Sequence, residues 1–204
     1  MDIIKITGKK IESFTMQRVL SALRTGGMIV YPTDTAYGLG VDALNEDAIG
    51  KIFIVKKRVQ KALPVIVANL TMLKTIAEVN PLGLKLAKKY WPGPLTIIFK
   101  KKPSVPLSLT LGMDTIGVKI PKSPVALEIL KAFGRPLTST SANISGTANN
   151  YTVDDVLKQF RDQESRPDLV LDGGALDEIP VSTVVDTTKG SIRVLRKGPV
   201  DITK

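Results

Sequence analysis

The sequence predicts an α/β (α+β) domain: a single open, twisted sheet of mixed strand direction with flanking helices. Two observations support this class. Short apolar runs of strand length alternate along the chain with segments of helical periodicity, and several strand-like runs follow one another with no helix-length segment between them, which requires mixed strand directions. A composition of 43% hydrophobic and 24% charged residues over 204 positions is typical of one globular domain.

The first elements alternate strand and helix. MDIIKITGKK predicts a strand rather than a signal peptide, because apolar and polar residues alternate in it. Residues 13–27 predict an amphipathic helix that ends at a glycine pair, and MIVYP predicts a buried strand. YGLG predicts a glycine-rich turn. Asn45 is a candidate N-cap for a helix over 45–58, with acids in its first turn and bases in its last.

The alternation continues to the C-terminus. We expect strands at LPVIVA, LTIIF, TIGVKI and just before TSTSAN, and helices over 81–90 and 123–133. Thr152 and Asp155 form a plausible capping pair for a helix over VDDVLKQF. The last part predicts three short strands, DLVLD, STVVD and SIRVLR.

Charge and residue usage restrict the chemistry. The net charge is +10, with +12 in residues 1–150 and −2 in 151–204, which suits either solubility or attraction of a polyanion such as a nucleotide or RNA. The absence of histidine and cysteine excludes a Ser-His-Asp triad, a thiolate nucleophile and a zinc-thiolate site. We expect no metal site formed by the protein, no membrane span and a cytoplasmic location.

Two stretches are rich in polar groups at predicted strand ends. YPTDTAYGLG places Thr33, Asp34 and Thr35 where a buried strand ends, the usual ligand position in open α/β sheets, although a turn satisfied by its own hydrogen bonds is as plausible. LTSTSANISG, residues 137–146, contains five hydroxyl side chains, more than capping needs, and can present donors to phosphate oxygens. Neither a P-loop nor a GxGxxG motif occurs.

Taken together, several stretches resemble the YrdC-like family, the threonylcarbamoyl-AMP synthases. They are PTDTAYGLG, LPVIVA, WPGPLTIIFKK, TIGVKIP, TSTSANISG, DGG, STVVD and RVLRKGP, in the family's order and spacing. The resemblance implies one YrdC-like domain over 1–204, without the additional C-terminal domain of longer members, and a large basic concave cavity. It also implies condensation of L-threonine, bicarbonate and ATP, the last with Mg²⁺, to threonylcarbamoyl-AMP and pyrophosphate. A downstream threonylcarbamoyl transferase complex would use this product to modify tRNA.

The same resemblance implies roles for individual residues. Lys56 and Arg58 would act in catalysis on the phosphates. The threonine site would consist of Thr35, Lys119, Ser139 and Thr183. The nucleotide site would consist of Arg58, Lys61, Thr115, Ser141, Asn143 and Arg196.

Two positions depart from the family pattern. Lys119 stands where synthases commonly have the arginine of GVRIP, and Ile66 stands where many have the histidine of PLIVH; both positions are attributed to threonine recognition. A YciO-type protein that uses another acyl-adenylate therefore remains an alternative. A module that binds tRNA or double-stranded RNA without catalysis is a second alternative, and the basic runs KKR and Lys100–Lys102 suit either RNA or solvent.

Overall fold

The computed structural model describes residues 1–8, 10–59 and 61–202, and within these ranges it contains seven helices and twelve strands. The helices are α1 (Ser13–Arg24), α2 (Glu46–Val55), α3 (Leu70–Ile76), α4 (Pro81–Tyr90), α5 (Leu107–Thr110), α6 (Pro124–Phe133) and α7 (Val153–Phe160). The strands are β1 (Asp2–Lys5), β2 (Ile29–Pro32), β3 (Tyr37–Gly40), β4 (Val65–Ile66), β5 (Ala77–Glu78), β6 (Leu95–Lys101), β7 (Thr115–Lys119), β8 (Leu137–Thr138), β9 (Thr140–Ser141), β10 (Leu169–Asp172), β11 (Thr183–Asp186) and β12 (Arg193–Arg196).

The α/β class with open, mixed sheets is confirmed, but the strands form two sheets instead of the predicted one. The first has the order β1-β10-β2-β3-β9; the second has the order β12-β11-β6-β7-β4-β8, with β5 beside β6. Both contain parallel and antiparallel pairs. The division depends on strand pairing between residues far apart in sequence, such as β1 with β10, and local patterns do not show it.

The two sheets meet where the chain passes from β8 to β9. Thr138 belongs to the second sheet and Thr140 to the first, so Ser139 lies at the crossing. The Ser139 amide donates to the Pro64 carbonyl at 2.7 Å, and Val41 donates to the Thr138 hydroxyl at 3.0 Å. These bonds fix the crossing segment against both sheets.

Two hydrophobic cores support this arrangement. Ile29 and Tyr31 of β2 pack with α1 and α6 in one core, whereas Val30 of the same strand faces the other core, together with β3, α2 and β6. The alternation of Ile29, Val30 and Tyr31 is the period of a strand buried on both faces. MIVYP was predicted as a buried strand, and this prediction is confirmed.

The predicted helix starts are confirmed. The side chains of Asn45, Ser123 and Thr152 each accept a hydrogen bond from the backbone three residues ahead, as N-caps do. The second helix ends at Val55, so the basic run that follows lies beyond the helix rather than in its last turn. Four short elements were not predicted, α3, β5, α5 and β9, because none exceeds seven residues and their apolar pattern is too short to show a period.

The prediction of a turn at YGLG was wrong, since these residues form β3, antiparallel to β2. The glycines are explained by close packing. A Cβ on Gly38 would lie 2.8 Å from Thr33 Cγ2, and one on Gly40 would lie 2.9 Å from Tyr31 Cε1. Glycine at positions 38 and 40 therefore leaves room for the Tyr31 ring beside β3. Gly38 itself lines the cavity described below.

Candidate active site

A cavity of about 710 Å³ lies between the two sheets. The turn between β2 and β3 and the 139–141 segment form one side; strands β6, β7, β11 and β12 contribute residues to the other. Among the residues that the structure describes, the lining includes four cationic side chains, Arg58, Lys61, Lys119 and Arg196, and no acidic residue. The cavity is thus basic, as the family resemblance implies, and large enough for a ligand of nucleotide size.

The β2–β3 turn presents hydroxyl groups to the cavity. The Thr33 hydroxyl donates to the Ala36 carbonyl at 2.6 Å and accepts from the Thr35 and Ala36 amides, so it stabilises the turn itself. Thr35 lines the cavity, with its Oγ1 3.3 Å from Thr33 Oγ1. The sequence stretch therefore serves both purposes considered for it: Thr33 closes a turn, and Thr35 faces a ligand space.

Arg58, Lys61 and Arg196 line the cavity without an acidic partner among the described residues. Arg58 is oriented by carbonyls: its Nε donates to Lys61 O at 2.8 Å and its Nη2 to Ala62 O at 2.9 Å. Arg196 donates from Nε and Nη2 to Ser182 O at 3.0 and 2.8 Å. Two guanidinium groups held by neutral acceptors keep their full charge for an anion.

Lys119 is different, because it is buried and paired. Its Nζ lies 3.1 Å from Asp34 Oδ1 and 3.4 Å from Ser182 Oγ, and its side chain is 7% exposed. Asp34 precedes Thr35 on the β2–β3 turn, so the ion pair joins the two sheets; of its two members only Lys119 lines the cavity.

The hydroxyl-rich segment contributes three consecutive residues to the cavity lining, Ser139, Thr140 and Ser141. Thr115 from β7 lines the cavity as well. Ser141 Oγ donates to Asn143 Oδ1 at 2.5 Å. Thr138 is fully buried and its hydroxyl accepts from Val41 N, which explains part of the hydroxyl excess without a ligand.

Three of the predicted site residues do not line the cavity, and two of them brace the loop behind it. Lys56 is 1% exposed, and its Nζ donates to Ser141 O, Asn143 O and Asn143 Oδ1 at 2.6, 2.6 and 3.1 Å. The Asn143 amide nitrogen donates to the carbonyls of Thr147 and Ala148. Burial, and secondarily the charge of Arg58, lower the pKa of the Lys56 ammonium to about 7. Lys56 and Asn143 are thus placed to position the Ser141 segment rather than to contact a ligand in the cavity.

The third residue is Thr183, whose hydroxyl donates to Val200 O at 2.9 Å and accepts from Val200 N at 3.0 Å. This side chain holds the segment after β12 against β11. Its neighbour Ser182 lines the cavity instead. The one-residue difference follows from the strand, in which successive side chains point to opposite faces.

Several lining residues were not singled out from the sequence, among them Thr96, Thr110, Asn149 and Ser182. Alternation along LTIIF places Thr96 and Ile98 on one face, so that period could have identified Thr96 once its partner strands were known. The loop position of Asn149 has no local signal. Ile66, the second departure from the family pattern, is fully buried in the core with α6 and does not line the cavity.

The DGG stretch supports the cavity from behind. Tyr37 Oη donates to Gly174 O at 2.7 Å and accepts from Gly173 N at 3.0 Å. Burial raises the pKa of the Tyr37 phenol to about 12, so it is a neutral hydrogen-bonding group at physiological pH.

A family model described as telomere recombination, Sua5/YciO/YrdC, matches residues 21–198. The chain belongs to the Sua5/YciO/YrdC family. This member is 34% identical, over 97% of its length, to the threonylcarbamoyl-AMP synthase of Pyrococcus abyssi, and it spans 58% of that protein. It is 36% identical to a putative threonylcarbamoyl-AMP synthase of Methanocaldococcus jannaschii, over 96% of this chain and 89% of that one.

Solved structures agree with this family membership. P. abyssi Sua5 complexed with L-threonine superposes with a TM-score of 0.90 at 34% identity, covering 97% of this Sua5/YciO/YrdC chain and 58% of the other. Escherichia coli YciO superposes with a TM-score of 0.88 at 29% identity, covering 99% and 98%. The resemblance seen in the motifs is therefore confirmed in sequence and in fold.

The described residues contain neither a metal-binding cluster nor a membrane-spanning helix. Over the described ranges, no group of three or more histidine, cysteine, aspartate or glutamate residues is arranged to hold a metal ion. Over the same ranges, no helix has the length and apolar character needed to cross a membrane.

Proposed function

We propose that the protein is an L-threonylcarbamoyladenylate synthase, an enzyme that transfers the adenylyl group of ATP to threonylcarbamate. The observation that carries the proposal is one 710 Å³ cavity lined both by cations without an acidic partner among the described residues and by hydroxyls close to a buried ion pair. The unpaired cations suit a polyanion, and the hydroxyls suit a small amino acid. The superposition on P. abyssi Sua5 complexed with L-threonine supports the assignment.

The first step forms the carbamate. The threonine amine attacks the carbon of bicarbonate or carbon dioxide, and a C–N bond forms; with bicarbonate a water molecule leaves, and with carbon dioxide the nitrogen releases a proton to solvent. Thr35 and Ser139 are placed to orient the amino acid, and Lys119 to meet its carboxylate. Because the carbamate is held beside the bound ATP, its attack on the α-phosphorus becomes effectively intramolecular. This positioning is the main contribution that we ascribe to Thr35, Ser139 and Lys119.

The second step transfers the adenylyl group. A carbamate oxygen attacks the α-phosphorus of ATP, the new P–O bond forms, and the bond to the β-phosphate breaks to release pyrophosphate. No protein nucleophile is needed, in agreement with a chain that has no histidine or cysteine. Arg58, Lys61 and Arg196 supply fixed positive charge for the phosphates as charge develops on the leaving group.

Magnesium would enter as MgATP. Because the described residues offer no carboxylate cluster for a resident ion, its oxygen ligands would come from the phosphates and water, as is usual for Mg²⁺. The ion is therefore part of the substrate in this proposal.

The product would serve the modification of tRNA. Threonylcarbamoyl-AMP is a mixed anhydride, and a downstream threonylcarbamoyl transferase complex would transfer its acyl group to an adenosine beside the anticodon. We place this reaction in the cytoplasm, where tRNA is available.

The test is pyrophosphate release by the purified protein with MgATP and bicarbonate, with and without L-threonine, while the product is followed by mass spectrometry. We expect threonine-dependent release together with the mass of threonylcarbamoyl-AMP. Release that is independent of threonine, or no release at a protein concentration that binds ATP, would contradict the proposal.

A second candidate is a YciO-type protein that forms a different acyl-adenylate. It is favoured by the near-complete mutual coverage with E. coli YciO and by Lys119 in place of arginine. A screen of amino and carboxylic acids for substrate-dependent pyrophosphate release separates the two. Binding of tRNA or double-stranded RNA stays a prediction, and a steep dependence of RNA affinity on salt would support it.

A further inference from the structure

The connection from β9 to α7 begins with a loop, residues 142–150, whose two ends lie close together. The Ala142 amide donates to the Tyr37 carbonyl at 2.8 Å, and the Tyr37 amide donates to the Asn150 carbonyl at 3.0 Å. Tyr37 of β3 therefore bonds both ends of the 142–150 loop. A loop closed in this way is a compact surface unit that depends on its own side chains for order.

This loop meets the cavity at both of its ends. Ser141, the residue before Ala142, lines the cavity, and so does Asn149, the residue before Asn150. Residues 145–148 are exposed to solvent. Burial of apolar surface therefore does not fix the middle of the loop, and hydrogen bonds have to supply its order.

Gln159 of α7 supplies such bonds from outside the cavity. The Gln159 side-chain oxygen Oε1 accepts from the Ile144 amide at 2.8 Å and lies 3.1 Å from Thr147 Oγ1. Gln159 Nε2 donates to Asn150 Oδ1 at 3.0 Å, and Asn150 Nδ2 donates in turn to the Ala142 carbonyl at 2.6 Å. One side chain thus joins the start, the middle and the end of the loop, although it does not line the cavity itself.

The backbone determines the orientation of both amide groups. The Ile144 N–H can only donate and the Ala142 carbonyl can only accept, so Gln159 presents its oxygen to the first and Asn150 its nitrogen to the second. The two amides then meet with a donor facing an acceptor. Because the hydrogen bonds run in one consistent direction, removal of Gln159 leaves a partner unpaired at each side of the gap.

The helix that carries Gln159 is firmly anchored. It begins at the Thr152 cap and buries Val153, Val156 and Phe160 in the core that also contains β3. Phe160, the next residue after Gln159, is fully buried. A polar side chain on an anchored helix can hold a loop at a fixed position relative to the cavity.

We propose that Gln159 is a positioning residue for ATP, which holds the 142–150 loop so that Ser141 and Asn149 are in place before the nucleotide binds. This inference rests on the proposed function, in which Ser141 belongs to the nucleotide site. Lys56, directly after α2, bonds the start of the same segment through the Ser141 carbonyl. The wall is thus supported by two separate elements, of which only the one at Gln159 reaches the far end of the loop.

The effect should fall on ATP and not on L-threonine. A loop that is ordered in advance loses no conformational freedom when the ligand binds, whereas a loosened loop has to be ordered by the ligand at a cost in affinity. Thr35, Lys119 and Ser139, which are assigned to L-threonine, are held by Thr33, Asp34 and Pro64. None of these bonds involves Gln159 or the loop.

Gln159→Met tests the inference, because methionine keeps the length of the side chain and removes both polar groups. By titration calorimetry of the full chain, we expect MgATP to bind about tenfold or more weakly, and L-threonine to bind within about twofold of wild type. Gln163→Met is the matched control: its Nε2 donates to the Gln159 carbonyl and not to the loop. This variant should bind MgATP like wild type.

Val19→Ala controls for a general loss of stability. Val19 is fully buried in the core formed with α6, which contains no residue of the loop, and its truncation should lower the melting temperature. Its MgATP affinity should stay at the wild-type value. The inference is overturned if Val19→Ala weakens MgATP as much as Gln159→Met does, if folded Gln159→Met binds MgATP as tightly as Gln163→Met, or if L-threonine affinity falls in parallel.

Failure of the inference and failure of the proposed function are distinguishable. If the wild-type protein binds no MgATP, or releases no pyrophosphate with L-threonine, the proposed function fails and the inference fails with it. If the wild-type protein does both but MgATP affinity does not depend on Gln159, only the inference fails.

Discussion

The cationic side chains that line the cavity differ in whether they have an acidic partner. Arg58, Lys61 and Arg196 have none among the residues described, and carbonyl oxygens orient the two arginines. Lys119, in contrast, is buried against Asp34. Unpaired cations suit a ligand with several negative charges, whereas a neutralised lysine suits a ligand with little net charge. The difference is what we expect if ATP and an amino acid share one cavity, as proposed above.

The largest expected effect comes from removing an unpaired cation of the cavity. Arg58→Ala should lower threonine-dependent turnover by about 100-fold or more, because a preoriented charge at a transferring phosphoryl group is lost. Stability should change little, since the guanidinium bonds only nearby carbonyls. Lys88→Ala, which removes an exposed cation from α4, is the matched control for lost charge. Turnover in Arg58→Ala that equals the control would show that Arg58 does not contact the reacting phosphates.

Salt should distinguish the unpaired cations from the paired lysine without any mutation. ATP affinity should fall severalfold between about 0.05 and about 0.5 M sodium chloride, because unpaired cations at a partly open site are screened. L-threonine affinity should stay nearly constant, since L-threonine carries no net charge and Lys119 is buried in an ion pair. Calorimetric titrations at four salt concentrations measure both. Parallel losses of the two affinities would contradict the contrast between unpaired and paired cations.

Lys56, which holds the Ser141 segment, should make the stability of the protein depend on pH. Its pKa is lowered from 10.5 in the unfolded chain to about 7 in the folded protein. The unfolded state therefore binds more protons between these values, and the free energy of unfolding gains up to about 1.4 kcal/mol per pH unit as pH rises. Below pH 7 this contribution to the slope vanishes. Urea unfolding from pH 6 to 9 should give a smaller slope for Lys56→Met than for wild type; equal slopes would show that folding does not perturb Lys56.

The smallest expected effect concerns two neighbouring residues, Ser182 and Thr183. Thr183→Val should cost about 1 kcal/mol of stability, because its hydroxyl holds Val200, and should leave L-threonine affinity unchanged. Ser182→Ala should do the reverse: it should weaken L-threonine severalfold with little loss of stability, since Ser182 lines the cavity. Thermal unfolding and calorimetry together compare the two. The opposite result would show that Thr183, and not Ser182, contacts L-threonine.

The sequence predicts the longer elements well because their signals are local. The caps at Asn45, Ser123 and Thr152 and the apolar faces of the helices involve residues within one or two turns. The strand at YGLG was missed because Gly38 and Gly40 are required by packing against Tyr31, which lies seven and nine residues away in the sequence. The division into two sheets depends on partners more than a hundred residues apart, which no local pattern can show.

Prediction of the site from local sequence patterns is limited in the same way. Most predicted residues do line the cavity, namely Thr35, Arg58, Lys61, Thr115, Lys119, Ser139, Ser141 and Arg196. Lys56, Asn143 and Thr183 do not, because a motif identifies a residue type and position but not the partner to which its side chain bonds. Asp34 was seen at a strand end, but its pairing with Lys119 required the second sheet to be in place.

The segment that connects β8 to β9 lines the cavity, and its number of residues is fixed by strand pairing on both sides. Residues 137–141 keep register with β4 on one side and with β3 on the other. Inserting or deleting one residue there would shift the side chains of one sheet to its wrong face, and no neighbouring loop could absorb the change. Substitution of Ser139 or Ser141 would therefore change the cavity lining but not the strand register, whereas a change in the spacing between them would break the pairing with β3 or β4.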